Sequence, residues 1–149
     1  MKEYKEVAFG WLIFIFVLPA QGIITYLYIN DLGDRPLGTL GFVLVTLLFI
    51  LIYLLFYQLT TKVANGLITV SFGVGLIRKR IQLSRISGVE TVKNPWYYGW
   101  GIRFIPKGML YNISGSDGVE LKFKDTDRII RIGTKDSAVL KREIVSRLK

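Results

Sequence analysis

Two pairs of acids, Asp117 with Glu120 and Asp125 with Asp127, are the nearest approach in this chain to a general acid–base constellation. Two carboxylates can divide the roles of proton donor and acceptor only where their surroundings push their pKa values apart. Here they sit in Ser116-Asp117-Gly118 and Asp125-Thr126-Asp127, stretches whose residue types build turns between strands. Asp125-Thr126-Asp127 is also too short for a calcium loop. Gly73-Val74-Gly75 lacks the Lys-Ser/Thr that completes a phosphate loop, and Asn112-Ile113-Ser114 matches a glycosylation sequon in a segment expected to be cytosolic. The 149 residues include no Cys and no His. That removes disulfides, the usual zinc, haem and iron–sulfur ligand sets, and nucleophile–His–carboxylate catalysis. Neither enzymatic activity nor a cofactor or metal is expected.

A different kind of signal lies at residues 95 to 103, PWYYGWGIR. Trp96, Tyr97, Tyr98 and Trp100 crowd around Gly99 and Gly101, and Arg103 closes the stretch. Three readings are open. One or two rings pack into a core, with the glycines allowing close backbone approach. Alternatively the rings lie at the headgroup level of a membrane, where amphipathic aromatics are favoured. Or they line a groove for a peptide, lipid or partner protein. The basic residues Arg78, Lys79, Arg80 and Arg85, with Lys93, Arg103 and Lys107, carry two readings: solvated surface charge, or attraction to an anionic leaflet. Nucleic acid is not expected as a partner, because no nucleic-acid-binding motif accompanies the charge.

The elements that must position these residues divide the chain. Val7 to Ile29 is an uncharged apolar run, and Leu37 to Tyr57 is a second. At ~1.5 Å per residue the first reaches about 34 Å, enough for a ~30 Å hydrocarbon layer with some tilt. The first run exceeds the apolar core of a cleaved signal, and bulky Leu18 stands where a cleavage site wants a small residue. A retained transmembrane hairpin over residues 1–57 is therefore expected. Tyr4, Trp11, Tyr26, Tyr28, Tyr53 and Tyr57 near its ends suit interfacial belts. Pro19 should kink the first helix or expose a carbonyl, while Gln21 and Thr25 are placed to hydrogen-bond to the second. Of the 20 Lys and Arg residues, 17 lie after residue 60 with seven of the 11 acids, leaving +10 there. The positive-inside rule then puts both termini in the cytoplasm and the linker Asn30 to Pro36 outside.

From Gln58 the period changes to two. Asn65-Gly66 predicts a tight hairpin turn, Gly73 and Gly75 a second, and Pro106-Lys107-Gly108 a third. GVELKFK over 118–124 alternates, with Val119, Leu121 and Phe123 inward and Glu120, Lys122 and Lys124 outward. RIIRI over 128–132 closes the strands. Asp136 is a candidate N-cap for a helix whose Leu140, Ile144 and Leu148 repeat at four-residue spacing. About seven short strands and one amphipathic helix over 58–149 predict an antiparallel roll capped by that helix.

YQLTTKVANGLITVSFG, IQLSRISGVETV, YGWGIRFIPKGMLYNISGSDGVELKFKD and RIIRIGTKDSAVLKREI together resemble the membrane-anchored pleckstrin-homology-like domains of bacteria. The resemblance implies an α+β membrane protein, a transmembrane pair followed by a PH-like barrel of two packed sheets, in the bacterial cytoplasmic membrane. It implies no known activity. The expected work is binding: a scaffold or accessory subunit for other membrane proteins, or for copies of itself. Gly38, Thr39, Gly41 and Thr46 in the second span permit close helix contact. The alternative is anionic-lipid recognition by Arg78, Lys79, Arg80 and the rings.

Overall fold

The computed structural model describes residues 3–148. Two long apolar helices stand near the N-terminus and are followed by two sheets and a C-terminal helix. Helix α1 (Trp11–Ile29) has 19 residues and α2 (Thr39–Phe56) has 18; neither carries a charge or buries a residue. Their lengths, about 27–29 Å, match a hydrocarbon layer. Both are long and apolar enough to cross a membrane. α1 runs on through Pro19, so the cost of that residue falls on the Ile15 carbonyl, which loses its usual donor. Gln21 Nε2 donates to Thr46 Oγ1 across the pair at 3.1 Å. Thr25 instead donates back to the Gln21 carbonyl within its own helix. The Tyr28 and Thr39 hydroxyls lie 3.1 Å apart, and the Tyr28 ring stacks on Phe42 at 4.2 Å. Thr39 and Thr46 are thus engaged within the hairpin, whereas a Cβ on Gly38 would meet nothing within 4 Å.

The first apolar run is divided where hydropathy shows no break. Tyr4–Phe9 is a strand, β1, paired antiparallel with β2 (Gln58–Ala64) from Tyr4↔Val63 to Phe9↔Gln58. Val7 to Phe9, expected at the start of the first span, therefore belongs to the sheet, and Ala8 is buried in the core beneath it. The helical hairpin is an insertion into the connection between two paired strands. Single residues make both joints: Gly10 between β1 and α1, Tyr57 between α2 and β2. The Gly10 N–H donates to the Tyr57 carbonyl at 2.8 Å, carrying the ladder into the joint. A Cβ on Gly10 would sit 2.5 Å from the Phe56 carbonyl oxygen, so no larger residue fits there unless the helices move.

β2, β3 (Leu67–Phe72) and β4 (Ile77–Gln82) complete a four-stranded sheet in the order β1-β2-β3-β4. Asn65 and Gly66, with φ of 50° and 73°, make the tight turn their types predict. The β3–β4 turn clasps the end of α2: the Val74 N–H donates to the Leu54 carbonyl at 3.1 Å. Gly73 has φ 51°, and a Cβ there would lie 2.0 Å from the same carbonyl oxygen. Glycine is required on both counts.

The second sheet runs β5 (Ile86–Lys93), β8 (Asp117–Phe123), β9 (Ile129–Gly133), β7 (Gly108–Asn112), β6 (Gly101–Ile105). It is mixed rather than wholly antiparallel, because β9 slips between β8 and β7 and runs parallel to β7. Over residues 58–149 about seven strands were expected and eight are found among the described residues, with β1 added from the N-terminal side, and the two sheets remain open rather than closing into one barrel. Leu59, Ile68, Val70 and Phe72 from the first sheet meet Val119, Leu121 and Ile132 from the second in one core. Helix α3 (Ser137–Val145) starts as its sequence predicts, with Asp136 accepting from the Val139 N–H at 3.0 Å. It packs on β5 and β8, inserting Leu140 and Ile144. Glu6 of β1 fastens this side, accepting from Thr134 Oγ1 at 2.6 Å and the Lys135 N–H at 2.7 Å.

Candidate functional site

β4 and β6 are both end strands, so each presents an unpaired row of backbone groups. A groove of about 900 Å³ lies between them. Ile81, Phe104, Met109, Phe123 and Ile130 supply its apolar surface, and Lys79, Arg80, Arg85, Lys107 and Arg128 stand around it. Register explains how both kinds of residue arrive there. Lys79 lies opposite Val70, and Ile81 opposite Ile68, so Lys79 projects from the core-facing side of β4. An inward charge on an edge strand discourages indiscriminate pairing. Phe104 lies opposite Met109, whose side chain packs on the core, yet Phe104 is 89% exposed. Its ring leans into the unfilled seam.

The electrostatics of this groove are one-sided. Arg85 is paired with Asp125 at 2.5 Å, and the guanidinium holds that carboxyl below the usual carboxylate range. Lys79, Arg80, Lys107 and Arg128 have no ion-pair partner among the described residues. Arg78, next to Lys79, is exposed on the opposite face of β4, one residue from the end of that strand nearer α2. The trio Arg78, Lys79 and Arg80 is therefore split between two faces rather than forming one patch.

The aromatic stretch is not buried in the core. Trp96–Tyr98 forms one 3-10 turn on the outer face of the second sheet, and Trp96 and Tyr97 are 84% and 68% exposed. Tyr98 alone is drawn in, with the Arg131 guanidinium 5.9 Å from its ring centre. Beneath it Arg131 Nε donates to Glu120 Oε2 at 2.8 Å, and Glu120 is only 9% exposed. The alternation of β8 places Glu120 outward as expected, but the outer face is covered at that point.

Trp100 and Arg103 take a separate position. With Ile102 and Phe56 they border a second groove, about 560 Å³, whose far wall is Leu12, Ile13, Phe16 and Val17 in the first two turns of α1. Arg103 Nε donates to the Trp100 carbonyl at 2.9 Å, which fixes the guanidinium at the mouth. The eight candidate residues thus do not converge. Lys79 and Arg80 border the seam, Trp100 and Arg103 border α1, Tyr98 covers a sheet, and Trp96, Tyr97 and Arg78 face outward.

Four residues at these surfaces escaped the sequence reading as site candidates. Phe104 and Arg128 border the seam. Val74 and Leu76, 55% and 74% exposed, occupy the turn that clasps α2. Apolar residues following each of Gly73 and Gly75 were a usable signal for that turn. The acids of Asp117/Glu120 and Asp125/Asp127 do not pair with each other; Glu120 and Asp125 are engaged by Arg131 and Arg85. Compared with protein-family models, curated proteins and solved structures, the chain matches none.

Proposed function

We propose that this chain is a non-enzymatic, multi-pass protein of the bacterial cytoplasmic membrane whose sheets form a docking module on the cytoplasmic side. The observation that carries the docking role is the open seam between β4 and β6, apolar inside and bordered by four cations with no ion-pair partner among the described residues. Its chemistry suits an extended segment of another protein that alternates apolar and acidic residues. Such a segment can add main-chain hydrogen bonds to an unpaired edge while its side chains enter the groove. Charge complementarity favours a partner over a second copy, since the chain carries +9.

The membrane placement rests on the two apolar helices, and its sidedness on the excess of Lys and Arg after residue 60. The β1–β2 pairing brings the start of α1 and the end of α2 together, which supports sheets held against one membrane surface. Kinship with pleckstrin-homology-like domains belongs to the same proposal. It is supported by a strand series that ends in one helix packed on β5 and β8.

A photo-activated cross-linker at Phe104 in cells tests the docking role, with one at Ser116 as the control. Discrete protein adducts from Phe104 that vanish with Lys79→Glu and Arg80→Glu support it. Adducts made only to lipid, or equal adducts from Ser116, count against it.

A further inference from the structure

The groove beside α1 has a composition unlike that of the seam. One wall is membrane helix, the other is β6 with the Trp100 ring, and a single cation stands at the mouth. α1 is only as long as the hydrocarbon layer is thick, so under the proposed crossing its first two turns, Leu12 to Val17, run from the headgroup boundary into the upper part of the acyl chains. A groove walled by those turns opens laterally into lipid. Arg103 spends its Nε on the Trp100 carbonyl, which leaves both terminal nitrogens of the fork unbonded among the described residues. A guanidinium presented this way matches two oxygens of one phosphate. Trp100, 39% exposed, flanks it as an amphipathic ring suited to the same layer.

We infer that this groove is a binding site for one anionic phospholipid. The phosphodiester sits on Arg103, and an acyl chain runs along Leu12, Phe16 and Val17. The site is distinct from the seam and does not depend on a docked protein. It also differs from attraction spread over all the cations, because only Arg103 faces this groove.

The chain has three Trp residues, so Trp11→Phe with Trp96→Phe leaves Trp100 as the reporter. The full-length double variant is placed in phosphatidylcholine vesicles with a minor fraction of lipid brominated near the carboxyl end of one acyl chain. Brominated phosphatidylglycerol should quench Trp100 with an apparent affinity about fivefold above that of brominated phosphatidylcholine, the preference expected for one cation near the surface. Arg103→Gln should abolish the preference and Arg78→Gln should leave it. Equal quenching by the two lipids would overturn the site. So would an Arg78→Gln loss as large as that of Arg103→Gln, which assigns the preference to general charge. The comparison of the two lipids needs no change at Arg103, so it stands even if Arg103→Gln misfolds.

Discussion

Asp125 shows how a single acid can govern the seam. Its bond to Arg85 occupies one of the five cations around the groove, so Asp125→Asn should release that guanidinium and raise the adduct yield from the Phe104 cross-linker. The pair also has a defined pH response. Because Arg85 lowers the folded-state pKa of Asp125, the contribution is full above the ordinary value of about 3.9 and is lost as pH falls through the lower folded value. Arg85→Gln should move the Asp125 carboxyl titration upward in carbon-detected NMR; an unchanged midpoint would show that the pair does not persist in solution. Glu6 has a structural task instead. It accepts from Tyr4, Thr134 and Lys135, and burial, reinforced by the bond to Glu6, pushes the Tyr4 hydroxyl well above the ordinary phenol range. Glu6→Ala strands those donors and should cost about 2 kcal/mol in a denaturant melt of the detergent-solubilised protein.

At the scale of elements, the junction between helices and sheet decides how closely the two move together. One residue at each joint, a ladder bond from Gly10 to Tyr57 and a clasp from Val74 to Leu54 leave little freedom for the sheet to swing away. Gly73→Val places a side chain against the Leu54 carbonyl at positive φ and should cost about 2–4 kcal/mol, read in the same melt. A loss below half a kcal/mol would mean that the clasp is not formed. Local signals made several elements legible beforehand. Asn65-Gly66, the alternation of GVELKFK and the Asp136 cap each carry their own instruction. β1 was hidden because its apolar end, of which only Ala8 is buried, runs straight into α1, and hydropathy does not separate the end of a strand from the start of a span. The slot taken by β9 was hidden for another reason: pairing between distant segments leaves no mark in spacing. The seam was half legible, since Lys79 and Arg80 stood out as charge but the exposure of Phe104 depends on β6 being an edge.

For the whole molecule, the two surfaces described here point to different environments. The Val74–Leu76 turn and the Trp100–Arg103 groove lie beside the helix ends, whereas the seam extends along β4 and β6 away from them toward Gln82 and Lys107. Under the proposed topology the protein meets lipid at its base and a protein partner at its side. That division depends on the helices crossing the membrane with the sheets inside. The absence of cysteine makes the most direct test simple: Asp34→Cys in the interhelical linker and Ser116→Cys in the β7–β8 loop, each treated with an impermeant maleimide on intact cells and after lysis. Labelling of Asp34→Cys in intact cells, with Ser116→Cys reacting only after lysis, is the expected result. Reaction of Ser116→Cys from outside intact cells would contradict the account.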